Sequence, residues 1–554
     1  MRSRITRFAS VAAAPALAVF APPAAARDAA PAADIVVYGC TAGGVMAAIE
    51  ARRLERTVTL VCRDSYLGGM TTNGLSWSDT GNHRAIGGLA LEFYRRVKRH
   101  YDDPAAWTHA PRPARAENFI DDGAMWQFEP KVAERILEDW VRAAGVRVER
   151  HQPLDRSRHG VERRGATLIA FRSKAGRRFA GRMFIDASYE GDLMAAAGVS
   201  FTVGREANAA YGETLNGVQL GRTTNHQFTL DIDPYRVPGD PGSGLLPRIS
   251  AEKPAPDGSA DTKIQAYTYR LCLTDVASNR LPLPKPPGYD PGQYALLQRY
   301  MDAGYRNFFQ KFDRIPNGKA DVNNFGAFST DNIGGNYRYP EGSDAEREAI
   351  ARAHVRYQQG LLWFMAHDPG VPPETRAEMG RWGLCRDEFV ANAGWPREMY
   401  VREARRMVSD FVMAEPQVRG LQPTPRPIGM GSYQMDSHNT QRIVDARGHV
   451  RNEGNIEVPV GHAYPISYDA IVPKRKEAQN LLVPVALSAS HIAYGTIRME
   501  PVFMILGQSA AAAADLAIKG KLPVQTVPYA RLRQRLVSEG QILALEKGSY
   551  TRLR

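Results

Sequence analysis

The sequence predicts an α/β fold, and three stretches carry that prediction. Residues 33–62, ADIVVYGCTAGGVMAAIEARRLERTVTLVC, read as a strand, a glycine turn, a small-residue helix and a second strand. Residues 129–149 repeat the helix-then-strand order. Residues 480–520 pair a buried-strand pattern, NLLVPVAL, with a long apolar helix, PVFMILGQSAAAAADLAIKG. Strands alternating with helices build parallel sheets. The expectation is a Rossmann-like nucleotide-binding domain, split in sequence, with a large α+β substrate domain inserted into it.

At 554 residues the chain is too long for one simple core, and 44% hydrophobic with 23% charged residues excludes disorder over most of it. Residues 1–26 have the order of a signal peptide: Arg2, Arg4 and Arg7, an apolar run over 8–20, then Ala24, Ala25 and Ala26 as a cleavage site. Pro15 interrupts the run, which is short for a bilayer, so no stable membrane span is expected. Residues 27–33 read as a spacer, and the expected location is the periplasm or the medium. The formal charge of +12 includes those three arginines, and the other basic residues are scattered rather than interleaved with aromatics. That argues against nucleic acid as a partner. Cys40, Cys62, Cys272, Cys385 and the 12 histidines fit no zinc or paired-ligand spacing, so no metal is expected.

The first part of the nucleotide domain is assigned to residues 34–200. Residues 35–38 form a short apolar run typical of a buried parallel strand, and Val45, Ala48, Ile49 and Ala51 recur at helical spacing after the turn. Thr57 opens the next strand. Pro130 sits in a first helical turn, Val132, Ile136, Leu137, Trp140 and Ala144 trace one face, and Gly145 ends the helix before a strand at 146–149. Residues 154–182 carry short strand-like pieces separated by charged turns, as in a small β-meander. The character changes over 201–430, where proline-rich stretches such as LPLPKPPGYDPG alternate with helical patches such as 345–366. This is the substrate-facing insertion. Residues 431–520 return to the nucleotide domain, Gly507 and the alanine run permitting close backbone approach, and 521–554 read as a C-terminal helical extension. There is no internal repeat.

In GCTAGG, Gly39 suits the tight turn after the first strand, and Gly43 and Gly44 are expected to leave room for a pyrophosphate at the helix N-terminus. Two residues of the dinucleotide pattern are missing. Thr41 stands at the middle glycine, and Cys62 stands where an acid normally holds a ribose.

The ordered blocks LGGMTTNGL, DTGN, FIDASYEGDLMAAAGV, PREMYVREARRMV, GSYQMDSHNTQRIVD and NLLVPVALSASHIAYGTIRMEPVFMILGQSAAAAA resemble the FAD-dependent oxidoreductases of the glutathione-reductase-like fold. Some members of that family carry xanthan-lyase labels. The resemblance runs from residue 34 to near residue 518 and implies FAD as cofactor. It places Gly39, Thr41, Ala42, Gly43 and Gly44 in the pyrophosphate turn, with a residue other than glycine tolerated at 41. It brings Gly68, Gly69 and Met70 against the cofactor and sets Asp186, Gly191 and Asp192 at the flavin border. Cys62 departs from it, since a thiol does not replace a carboxylate acceptor, and Asp64 is the nearest substitute.

A helix beginning near residues 496–501, with Pro501 in its first turn, would face the flavin pyrimidine, where its dipole stabilises negative charge. His438 and His491 are the candidate bases, Asp436 a residue to orient one of them, and Arg498 a ligand for a substrate oxygen. Glu500 reads equally as a helix-start carboxylate. The expected activity is dehydrogenation of a CH–OH or related centre in a small organic, possibly carbohydrate-derived, substrate, with an electron acceptor to be identified. Two alternatives stand beside it: a lyase on the flavin fold without net redox, and a noncatalytic exported binding protein, for which the missing acid at Cys62 is the best support. Cys40 and Cys62 follow adjacent strands, but a bridge between them would crowd the cofactor turn, so both are expected as free thiols.

Overall fold

A computed structural model describes residues 32–112, 119–120 and 123–545. The expected signal peptide, most of the spacer and the last nine residues lie outside the described residues.

The α/β expectation holds. β1 (Ala33–Tyr38), α1 (Ala42–Arg53) and β2 (Val58–Val61) form the first β-α-β unit. α2 (Pro130–Ala143) leads to β3 (Arg147–Glu149), and β4 (Val161–Arg164), β5 (Thr167–Arg172) and β6 (Arg178–Asp186) form the meander. The sheet order is β3-β2-β1-β6-β5-β4. β1 pairs in parallel with β2 (Val37 opposite Leu60) and with β6 (Val37 opposite Ile185). The meander and the parallel sheet share one strand. Residues 178–180 of β6 pair antiparallel with β5, while Phe184 and Ile185 pair in parallel with β7 (Leu481–Leu482). NLLVPVAL therefore gives only a two-residue strand, and the chain beyond it runs as buried loop to α3 (His491–Ile497) and α4 (Glu500–Gly520).

α1 and α4 are buried nearly all round because each is covered on both faces, which explains their lack of a polar stripe. They touch backbone to backbone. A Cβ on Gly507 would stand 2.0 Å from the Gly43 carbonyl oxygen, and one on Gly43 would stand 2.7 Å from that of Phe503. Among the described residues α4 is the one helix long and apolar enough to cross a membrane, and 94% of its apolar window is buried inside the protein. Its composition is that of a core helix.

Between the two parts of the sheet lies a separate five-stranded antiparallel sheet, in the order Arg280–Leu281, Gly383–Cys385, Leu271–Thr274, Lys319–Val322, Phe312–Ile315. A 24-residue helix, Asp344–His367, starts on a Ser343/Glu346 capping box. The chain then forms a long antiparallel ribbon in which Met435–Ser437 pairs with Ile456–Val458. His438 follows directly on that strand.

The expectation of free thiols at Cys40 and Cys62 is overturned: the two form a disulfide, with Cα atoms 5.1 Å apart. Neighbouring parallel strands end side by side, and Gly39, at φ +99°, turns the chain so that Cys40 lies along the end of β2. The bridge ties the two strand ends together without filling the turn. Cys272 and Cys385 are free and buried.

Candidate functional site

A cleft opens at the C-terminal ends of β1, β2 and β6, where open α/β sheets bind ligands. Its floor is Gly39, Cys40 and Thr41; its walls include Arg63, Asp64, Gly69, Tyr189, Asp192, Arg397 and Glu398. Gly39 is required here, since a Cβ would stand 2.4 Å from the Ser188 nitrogen. Thr41 caps α1, its hydroxyl accepting from Gly44 N–H (3.2 Å) and donating to the Ala187 carbonyl (2.8 Å). With Ala42 it starts the helix, so the first N–H groups of α1 point toward the cleft. The non-glycine at 41 thus contributes a cap.

Gly43 and Gly44 act differently from the expectation. Gly43 lies against α4, and a Cβ on Gly44 would stand 2.0 Å from the Gly39 carbonyl oxygen. They permit close packing of protein on protein. Of Gly68, Gly69 and Met70, Gly69 lines the cleft, and the Met70 N–H donates to the hydroxyl of Tyr189, itself a cleft residue (2.9 Å). Asp186 is turned inward, accepting from the N–H (3.0 Å) and hydroxyl (2.7 Å) of Ser188 and from Met194 N–H (2.7 Å). Gly191 caps the short helix Asp192–Ala196. Asp192 lines the cleft but is held by Arg347 (2.7 Å) and Arg405 (2.9 Å), so it ties the inserted region to the nucleotide domain.

Glu500 opens α4 and accepts from Tyr189 (2.6 Å) and Thr71 (2.9 Å). Burial pushes its carboxyl up to about 7, against those two hydrogen bonds. The long helix starts at Glu500, close to the expected place, but α3 precedes it and Arg498 falls in the link between them.

His438 and Arg498 come together. The His438 Nδ1 is 2.9 Å from Asp331 Oδ2 and its Nε2 is 3.4 Å from Asp436 Oδ2. Arg498 donates to Asp436 Oδ2 (2.5 Å) and to the Tyr400 hydroxyl (2.9 Å). Burial alone would raise the Asp436 carboxyl, but His438, Arg498 and Arg402 outweigh it and hold it at about 2. Asp331 is likewise buried and lowered by Arg402 and His438. Asp79, whose carboxyl is raised by burial, faces Arg270, Asp436 and Arg498 and bonds Tyr433. Extended residues 399–401 join this cluster to the cleft: Met399 and Val401 line the cleft, while Tyr400 between them meets Arg498.

His491 does not join them. It is 2% exposed, with Nδ1 2.7 Å from Glu403 and Nε2 2.9 Å from Ser437. Burial, with Arg406 and Arg205, pushes it down to about 3. Both nitrogens are held at hydrogen-bond distance, where His438 has one such contact and one longer one, and the ring packs in the core. Sequence reasoning missed Asp331, Arg402, Tyr400, Asp79 and Tyr433. Charged residues inside otherwise buried stretches, as in YVREARRM, were the available signal.

A search of curated protein sequences returned no match. Solved structures similar to part of the chain include an anhydrotetracycline hydroxylase, OxyS, from Streptomyces rimosus (14% identity, 37% of this chain and 37% of that one, TM-score 0.22). An L-amino acid deaminase from Proteus vulgaris is another (14% identity, 32% of this chain and 53% of that one, TM-score 0.23). These alignments span about a third to a half of those chains. The sequence profile described as FAD dependent oxidoreductase matches residues 34–536, nearly the whole chain, and the protein belongs to that family.

Proposed function

We propose that this FAD-dependent oxidoreductase is exported and dehydrogenates a CH–OH or related centre of a small organic molecule, passing the electrons on to a separate acceptor. The observation that carries the reading is the His438–Asp436–Arg498 cluster, set one residue away from the wall of the dinucleotide cleft.

The cleft suits FAD by the chemistry of its donors. The α1 N-terminus, Arg63 and Arg397 suit a diphosphate, and the Arg397 Nη2 is buried with no partner among the described residues. Cys62 is committed to its disulfide, so Asp64, on the cleft wall, is the acceptor for a ribose hydroxyl. Gly69 and Met70 would approach the flavin half. FAD when bound supplies a two-electron acceptor of hydride.

The protein's own groups supply the rest. Asp331 holds His438 Nδ1 and fixes the ring, and Nε2, whose contact to Asp436 Oδ2 is long at 3.4 Å, would take the hydroxyl proton of a substrate that displaces that contact. Arg498, anchored by Asp436 and Tyr400, has a buried Nε without a partner among the described residues and would stabilise the developing alkoxide. Export is supported by the arginine-led N-terminal segment and by the Cys40–Cys62 disulfide, a bond that persists in oxidising compartments.

An anaerobic screen of small alcohols, sugars and hydroxy acids, read by flavin bleaching, identifies the substrate. With it, His438→Gln is expected to retain FAD while slowing flavin reduction about 10²–10⁴-fold in rapid mixing. An unchanged rate would remove His438 as the base.

A further inference from the structure

Glu398 is absent from every role described so far, yet it lines the cleft beside Gly69, Tyr189 and Met399. Its Oε2 is buried and has no hydrogen-bond partner among the described residues. Such an atom is costly to bury, and on the wall of a binding cleft it is placed to be satisfied by the occupant.

The adjacent cation does not satisfy it. Arg397 donates from Nε to Asn73 Oδ1 (3.1 Å) and from Nη1 to Glu134 (2.8 Å), its guanidinium lies 4.6 Å from the centre of the Tyr66 ring, and its remaining Nη2 makes no hydrogen bond to Glu398. Carboxylates face Glu398 from three other elements: Asp64 after β2, Glu190 after β6, and Glu500 at the start of α4. Arg63 is the one cation among these neighbours that favours the ionised form, and it is shared with Glu190 (3.7 Å) and Asp64 (3.9 Å). The phenols of Tyr66, Tyr189 and Tyr269 are also near and stay protonated. Burial, reinforced by the three carboxylates, pushes Glu398 well above the usual carboxylate range. A protonated carboxyl has an O–H to donate, and among the described residues no acceptor takes it.

We propose that Glu398 is a dinucleotide-binding residue that donates the hydrogen bond of a neutral carboxyl group to an oxygen of FAD. The shared chemistry of the acceptor is an electron-rich oxygen, of the diphosphate or of a flavin carbonyl. Binding then depends on a proton already held by the protein. In pH ranges where free protein has lost that proton, FAD binding must take one up, so affinity falls as pH rises.

The test is the FAD dissociation constant of the FAD-stripped full chain, read by quenching of flavin fluorescence from about pH 5 to about pH 9. Wild-type protein should bind more weakly with rising pH, approaching tenfold per unit above the Glu398 pKa. Glu398→Gln, which keeps a neutral donor of the same shape, should bind within about threefold of wild type at the acid end and lose the pH dependence. Glu398→Ala should bind about tenfold more weakly at the acid end. ADP and riboflavin are the two arms: a slope shared by ADP, beyond the titration of its own terminal phosphate, places the acceptor in the diphosphate, and one shared by riboflavin places it in the flavin half. A wild-type affinity independent of pH overturns the proposal. So does the same slope in Glu398→Gln, which would assign the proton to another buried acid such as Asp64 or Glu500.

Discussion

Replacing Cys40 and Cys62 by alanine, or reducing their bond, is expected to cost about 3 kcal/mol of folding stability. The figure follows from the 22-residue separation of the two cysteines, through the loop entropy that a cross-link of that span removes from the unfolded chain. A second effect is local. Cys40 sits between Gly39 and Thr41 in the turn that starts α1, and Cys62 follows β2 directly, so the bond fixes two edges of the cleft relative to each other. Urea unfolding with and without a phosphine reductant measures the first effect, and FAD retained after gel filtration measures the second. Both should fall on reduction, and neither should respond to reductant in the Cys40→Ala/Cys62→Ala protein. Identical unfolding midpoints for oxidised and reduced wild type would refute the bond's stabilising role. The single change Cys62→Glu restores the ribose acid but breaks the bridge, so tighter FAD binding is expected only alongside lower stability.

Two further outcomes follow from buried ionisable groups. His491→Ala strands Glu403 and Ser437 without their partner, so it should lower stability by about 1–3 kcal/mol while flavin reduction stays near the wild-type rate; a selective loss of rate with normal stability would return His491 to the reactive face. Glu500, with a folded-state value of about 7 against roughly 4.3 in an unfolded chain, loses its proton first in the unfolded state. Its contribution therefore falls as pH rises from about 4.3 to about 7 and is level beyond, so Glu500→Gln apoprotein should gain relative stability across that window, on the order of 3 kcal/mol. An unchanged pH profile in the denaturation of that variant would show that the carboxyl is ionised across the window.

The sheet was legible where periodicity and turn chemistry coincide. Residues 33–62 and 129–149 declare their strands and helices because each must bury an apolar face within a few residues of a glycine or proline signal. β7 was overestimated for a related reason: NLLVPVAL is apolar along its whole length because it is buried, but only Leu481 and Leu482 find a partner strand. Burial is written in composition, and pairing is not. The same distinction explains Gly43, whose small size was visible while the neighbour requiring it, α4, lies more than 450 residues away.

Cys40 and Cys62 could be placed near each other from the order of the strands alone. Whether they bond depended on where Gly39 turns the chain, a backbone detail outside any pattern of residue types.

The candidate site divides along the same line. Residues of the dinucleotide turn are contiguous, so a local motif names them. The cluster proposed to handle the proton is assembled from Asp79, Asp331, Tyr400, Arg402, Asp436, His438 and Arg498, spread over more than four hundred residues. What the sequence does carry is the cost of such a cluster. Arg402 and Arg498 are 1% and 3% exposed, and an arginine survives such burial only with a carboxylate at hand. Asp331 and Asp436 supply those carboxylates, and each also meets one nitrogen of His438. The imidazole is thus held between two acids whose own charges are fixed by arginines. His491, by contrast, has one acid, Glu403, paired with the buried Arg406, and a serine on its other side. Two histidines that look alike in sequence are separated by the partners of their partners, and that is why His438 is the proposed base and His491 is assigned to the core.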